Sequence, residues 1–303
     1  MTYSYRLKLV IFILIACPVL ITGCHKDESE TPQPTTPPSG GGGGGGSGAI
    51  STPPSSFSSK VLLEYHTAAW CGTCVDADVK RDQVMTAYPG KVIPVAIHQS
   101  DGMQKPYFFT IDATFGSNTA MGMVNRTIST SNVLLNRTQW LTNSTVALGN
   151  QAPCGLAMNS TIEGGFAKLE VQAAFNQNLS GAHNITVLLI EKVKTGSGPS
   201  YDQVNSYNND PSSPFYGLGN PITGFEHKYV VDRAITAELG DPINQNLLVP
   251  GGVYVANYSV DMTRFIQSNV RFVAFISKTG TTSTNRNVLN VQSADMGTLQ
   301  DWD

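Results

Sequence analysis

The chain has 303 residues, with 19 Lys plus Arg against 22 Asp plus Glu and a net charge of −3. Charged residues are only 14% of it, and no basic cluster lies beyond the first few residues, so nucleic-acid binding has no electrostatic footing. Asn, Ser, Thr and Gly are abundant, as suits an exported β-rich protein, and beyond residue 24 no stretch is apolar and long enough to span a bilayer.

Residues 1–24 read as a secretory signal. Arg6 and Lys8 flank the start of an apolar run, Leu9 to Ile21, that is too short for a typical spanning helix. It ends in Ile21-Thr22-Gly23-Cys24, which resembles a bacterial lipoprotein box. That resemblance implies that Cys24 becomes the new N-terminus and carries acyl chains, each buried methylene adding about 0.8 kcal/mol of membrane affinity. The plainer alternative is a signal peptide with an incidental cysteine. Lys26-Asp27-Glu28 follow. They resemble a surface-export signal of lipoproteins in one Gram-negative phylum, which implies the cell surface rather than the periplasmic face. Alternatively they are a solvated start to the linker. Residues 25–59 form that linker, with Pro-rich, Gly-rich and Ser-rich pieces in turn.

Residues 60–151 read as an α/β domain. KVLLEYH (60–66) is an apolar run suited to a buried parallel strand. A helix is expected over 71–88, ended by Pro89-Gly90, and a second buried strand over 91–98. Strand, helix and strand with short joins make a right-handed βαβ unit. A weaker third strand is expected at 123–128 and a closing helix at 138–151.

From 152 to 303 the pattern changes to strands. Seven candidates, at 155–164, 166–176, 184–193, 227–236, 252–261, 270–278 and 287–295, are separated by Gly-rich turns. They predict an antiparallel β-sandwich of immunoglobulin-like type. One connection, 195–225, is far longer than the others and carries several tyrosines and Phe215. A loop of that length is either a contact surface or a disordered insertion.

The chemistry centres on Trp70-Cys71-Gly72-Thr73-Cys74. Cys17 leaves with the signal and Cys24 carries lipid, so the folded part keeps Cys71, Cys74 and Cys154. Outside the cytoplasm disulfides persist, so a Cys71–Cys74 disulfide is allowed. The pair is expected where a buried strand hands over to a helix, with Cys71 near the N-cap. There the orphan N–H groups and the helix dipole stabilise a thiolate and make Cys71 the nucleophile. Cys74 then resolves the mixed disulfide. A metal site would need two more soft ligands, and no second CxxC or HxxxH exists, so neither a metal nor another cofactor is expected. The remaining alternative is a structural staple.

Other residues take supporting parts. Glu64 either moves protons for Cys74 or pairs locally. His66 is close in sequence and suited to an orienting hydrogen bond. His98 ends the second strand, where open α/β sheets place ligands. Asp101 just after it makes a turn. Arg126, Asp232 and Arg233 suit buried ion pairs or domain contacts, and Cys154 a small buried hydrophobe or, alternatively, a partner for Cys71 or Cys74.

A strand, Trp-Cys-x-x-Cys, a helix and a second strand resemble the thioredoxin fold. More narrowly, KVLLEYHTAAWCGTC, YPGKVIPVAIHQSDGM, MVNRTI and EHKYVVDRAI resemble the Omp-twenty-eight family of outer-membrane lipoproteins. This resemblance implies a thioredoxin-like domain followed by a β-rich domain, attached to the outer membrane. The sequence departs from thioredoxin-like enzymes in one respect. No proline lies between Pro106 and Pro153, so the cis-proline that would face the cysteines near Thr119-Ala120 is missing. Two functions stay open. One is thiol–disulfide exchange with a protein thiol through Cys71 and Cys74. The other is a non-catalytic surface lipoprotein with a staple disulfide, whose sandwich binds an extracellular protein.

Overall fold

Val61–Thr67 is buried at all seven positions, so this strand is covered on both faces. In the computed structural model, which describes residues 48–129 and 131–303, it is strand β1 of a mixed sheet. The signal segment, Cys24 and linker residues 25–47 lie outside the described residues.

Helix α1 (Cys74–Ala87) leads from β1 to β2 (Val92–His98), which pairs parallel with β1 from Val61↔Val92 to Thr67↔His98. Helix α2 (Pro106–Phe115) follows; the sequence reading contains no such helix. Its signals are Pro106 at the first helical turn, where a missing N–H costs nothing, and Gly116 at its end with φ 77°. Strand β3 (Met121–Val124) runs antiparallel to β1, a short β4 (Leu135–Asn136) pairs with β3, and α3 (Trp140–Leu148) closes this part.

The seven expected C-terminal strands all form: β5 (Cys154–Glu163), β6 (Phe166–Phe175), β7 (His183–Lys194), β8 (His227–Ala234), β10 (Val253–Asp261), β11 (Val270–Lys278) and β12 (Val288–Asp295). Two-residue strands β9 (Asp241–Pro242) and β13 (Leu299–Gln300) pair with β7 and β5. The β5–β6 hairpin turns on Gly164-Gly165, both at positive φ (58° and 84°), as a tight two-residue turn requires.

The strands divide between two sheets. The larger has the order β12-β11-β7-β8-β2-β1-β3-β4, and the smaller has β10-β6-β5-β13. Strand β8 joins the two halves of the larger sheet, parallel to β2 through Ala96↔Val230 and antiparallel to β7. One sheet therefore runs across the boundary expected near residue 151, and the described residues belong to one compact unit.

The period-2 alternation of strands sorts the core. In β11, Phe272, Ala274 and Ile276 face the smaller sheet, while Val273 and Phe275 join the cluster beneath α2. In β1, Leu62 belongs with α2; Val61, Leu63 and Tyr65 pack with α1, α3 and both cysteines. One face of the larger sheet thus carries α2. The other is shared by α1 and α3 at one end and the smaller sheet at the other.

Part of the expected linker is docked. Phe57 is buried, bridges to Ala152 and stacks near Trp302, with ring centroids 6.0 Å apart. The phenyl ring occupies the space that a side chain at Gly155 would need. Lys60 pairs with Asp303, and Ser58 N–H donates to the Asp303 carbonyl at 2.9 Å. A single aromatic residue in a Ser- and Pro-rich stretch thus docks part of the expected linker on the fold.

Candidate functional site at the Cys71–Cys74 disulfide

Two tight backbone bonds shape the turn after β1: Cys71 N–H to Ala68 O at 3.0 Å and Cys74 N–H to Cys71 O at 3.1 Å. They bring the two cysteines to a Cα separation of 5.4 Å, within ordinary disulfide range, and the pair is disulfide-bonded. Helix α1 begins at Cys74 with Thr73 as N-cap, so Cys71 sits two residues ahead of the cap rather than at it. Because its sulfur is bonded to that of the first helical residue, both sulfurs still lie at the positive end of the helix. Cys71 is 5% exposed and Cys74 1%.

What covers them comes from the long 195–225 connection. Val204 N–H donates to Ala69 O at 2.7 Å, Ser206 N–H to Gly72 O at 3.0 Å, and Gln203 Nε2–H to Cys71 O at 2.9 Å. Gln203 and Asn205 are each 1% exposed, so this stretch is built into the fold. The sequence singled out the connection by its length and aromatic content. Gln203 and Ser206 carried no signal of their own, because the motif residues they bond lie more than 130 residues away, and Asn205 only ties the loop to itself through Phe215, Gly219 and Asn220.

Behind the motif, Asp101 does more than make a turn. Its carboxylate accepts from Ala69 N–H at 2.8 Å and from Met103 N–H at 2.9 Å, and bonds His98 Nδ1 at 2.7 Å. Burial pushes this carboxyl upward, but the bond and charge of His98 and the two N–H groups outweigh it and hold it below the usual range. His98 packs edge-on against His227, with centroids 5.1 Å apart. His227 Nε2–H donates to Tyr201 O at 2.8 Å, which ties this dyad to the covering segment. On α1, one turn after Cys74, burial raises the Asp78 carboxyl and the adjacent Arg81 guanidinium opposes it. Arg81 also donates to Tyr65 Oη at 2.8 Å.

The other expected residues separate. Trp70 is 44% exposed beside the motif and donates from Nε1 to Gln99 O at 3.0 Å. Glu64 points to the α2 face, where Arg126 holds it with two hydrogen bonds of 2.6 and 2.8 Å. It is therefore on the opposite face of the sheet from the cysteine cluster. His66 lies on the α2 face too, fully buried against Phe108, and neither ring nitrogen has a partner. Buried Asp232 is held by Arg264 at 2.6 Å, and half-exposed Arg233 lies over the Phe265 ring. Cys154 is buried, and burial alone pushes its thiol up to about 12, so it is a packing residue and an unreactive thiol.

Residues 110–300, well over half of the chain, match the family described as Outer membrane protein Omp28. The chain belongs to the Omp28 family. The matched stretch begins after the disulfide and includes the covering segment, Arg126 and His227. No curated protein matches the sequence. Among solved structures, HBP35 of Porphyromonas gingivalis is similar with a TM-score of 0.62 and 18% identity, over 80% of this chain and 76% of that one. Protein AGR_C_4864 from Agrobacterium tumefaciens is similar with a TM-score of 0.50 and 10% identity, over 79% of this chain and 95% of that one. At these identities the likeness is one of fold alone. Membership of the Omp28 family associates the chain with the outer membrane; among the described residues no helix is long and apolar enough to cross one.

Proposed function

We propose that this protein is a lipid-anchored outer-membrane thiol–disulfide exchange protein acting through Cys71 and Cys74. The observation that carries this reading is the seat of the disulfide: a buried parallel strand delivers it to the N-terminal end of α1, beside the exposed Trp70. The β1-α1-β2 unit with antiparallel β3 supports a thioredoxin-like reading, and the two sheets packed face to face support an immunoglobulin-like reading of the strands after residue 152.

The exchange begins when a thiolate of a partner dithiol attacks Cys71 Sγ, the more exposed of the two sulfurs. The Cys71–Cys74 bond breaks and Cys74 leaves as a thiolate stabilised by the helix end. The partner's second thiol, deprotonated, attacks the mixed disulfide and releases Cys71. The partner ends as a disulfide, two electrons reside on Cys71 and Cys74, and the protons go to the released thiols. Titration against defined dithiol–disulfide buffers, with maleimide trapping read by mass, tests this. The folded chain should gain two trapped thiols reversibly, and reduced Cys71 should titrate below the ordinary cysteine value of about 8.5. A folded chain that exchanges with no model dithiol, or a reduced Cys71 at or above that value, would sink the reading.

The near-complete burial of both cysteines favours a second reading, a structural staple in a binding lipoprotein. The same titration separates the two, since a staple would be reduced only on unfolding.

The anchor is assigned to Cys24, from the lipoprotein box and the Omp28 family, with Lys26-Asp27-Glu28 favouring the outer face. Cys24→Ser should move the protein from the membrane pellet to the soluble extract, and protease added to intact cells should remove the wild-type protein. A Cys24→Ser chain that still pellets refutes the anchor, and full protection in intact cells refutes the outer face.

A further inference from the structure

We infer that the backbone of Ala69–Gly72 is a docking edge for an extended polypeptide, and that the chain's own residues 203–206 occupy it at rest. The two amides that hold the segment down, Val204 N–H and Ser206 N–H, are two residues apart and bond Ala69 O and Gly72 O. The donors have the spacing of alternate residues in an extended peptide, while the acceptors are three residues apart because Ala69–Gly72 is a turn, so the segment docks on the turn's outward carbonyls rather than in a regular ladder. Gln203 fills the gap between them with its side-chain amide on Cys71 O. All three acceptors beside the disulfide are thus taken by one short segment.

The approach depends on Gly72. A Cβ there would overlap the Ser206 hydroxyl oxygen and lie 3.2 Å from Ser206 Cβ and 3.3 Å from its amide nitrogen. Only a glycine lets another backbone come this close. The edge is therefore shaped to receive a chain, beyond what a disulfide turn requires.

The segment is fastened at its flanks. At one end Tyr201 packs over Gly102 and Gly196, and its carbonyl accepts from His227. At the other, Asn205 donates to Phe215 O at 2.9 Å and Gly219 O at 3.0 Å. Its return path is held by polar bonds more than by apolar packing: Gln203 and Ile222 exchange two backbone bonds of 3.0 and 2.8 Å, and Asn205 N–H donates to the Asn220 side chain at 2.9 Å. A cavity of about 700 Å³ separates Phe215 and Phe225 from α1, and Tyr216 and Leu218 are more than half exposed. With few buried apolar contacts on the return path, opening there costs chiefly these hydrogen bonds. Lifting it frees the Ala69 and Gly72 carbonyls, and a second acceptor position on Cys71 O beside its bond from Cys74 N–H, next to the disulfide. A partner segment with amides at the same spacing would replace it and bring a thiol to Cys71; this last step rests on the exchange reading above.

The test uses the full mature chain and a capped, labelled peptide of residues 201–207, Tyr-Asp-Gln-Val-Asn-Ser-Tyr. Ser206→Pro removes one of the two holding amides, and Gly72→Ala pushes the segment off from the other side with its sequence intact. Reduction of the disulfide by a small phosphine should be about two- to tenfold faster in each variant that stays folded, the range expected for one lost hydrogen bond. The peptide should bind Ser206→Pro about two- to tenfold more tightly than wild type, and it should slow that variant's reduction. Equal reduction rates and equal peptide binding in the folded variants would overturn the inference. The two proposals fail separately. If both variants reduce faster and Ser206→Pro binds the peptide but neither exchanges with a dithiol, the edge stands and the exchange reading falls. If exchange proceeds at one rate in all chains, the edge falls and the exchange reading stands.

Discussion

Arg126→Ala should destabilise the fold by about 3–5 kcal/mol, the cost of breaking a buried ion pair from one side. Arg126 is 1% exposed and Glu64 is fully buried. The guanidinium makes two bonds to the Glu64 carboxylate and a third, at 2.9 Å, to Tyr107 Oη. It lies between the Phe115 and Phe275 rings, 4.9 Å from each centroid. Alanine removes the cation and its stacking and leaves a carboxylate in an apolar core. The backbone is also committed: Asn125 and Arg126 both sit at φ 50°, and Asn125 accepts from Leu62 N–H at 2.8 Å through its side chain. Left-handed residues persist only where their surroundings hold them. Denaturant melts of three chains check this. Glu64→Leu added to Arg126→Ala should recover part of the loss, because it removes the stranded charge. A loss below about 1 kcal/mol for Arg126→Ala, or no recovery in the double variant, would refute the account.

This ion pair also shows how sequence reading stops at the face of a strand. Glu64 stands seven residues before Cys71, and proximity in sequence made it a candidate proton carrier. Alternation along β1 turns it to the α2 face, and nothing local reveals that Arg126, at 62 residues' separation, waits there. Strands β1 and β2 were legible because their apolar runs are too long for one-sided burial. Helix α2 was not, because Tyr107, Phe108, Phe109, Thr110 and Ile111 favour strand, and only its covered face and the proline at its start make it helical. All seven later strands were legible from period and turns. Their division between two sheets was not, since β7 buries Val187 to Ile190 without a break and could belong to either. The disulfide motif was visible as a motif. Its cover was invisible, because a segment held by backbone amides needs no distinctive side chain.

Acid should destabilise the fold as pH falls below about 6.5. Burial lowers the pKa of His66 to about 4, against the pull of Glu64 and Asp112. Burial also lowers that of His227 to about 4, helped by His98 and opposed by the Tyr201 carbonyl and Asp101. Unfolded, each titrates near 6.5. Between those values the unfolded chain binds more protons than the folded one, so stability rises with pH across the window and is lost as pH falls from about 6.5 to about 4. Above about 7 neither group contributes. Each could remove on the order of 3 kcal/mol by the bottom of the window, at 1.36 kcal/mol per pKa unit. Denaturant melts at several pH values should show that slope, and His66→Phe, which fills an apolar site whose two nitrogens have no partner, should flatten it by one proton's worth. A slope in the variant as steep as in wild type would remove His66 from the account. The second histidine carries a further consequence. His227 donates to Tyr201 O whether or not its other nitrogen is protonated, so the anchor itself is insensitive to pH; His227→Phe removes the donor, and amide exchange at Val204 and Ser206 should quicken in that variant at neutral pH, before global unfolding is detectable.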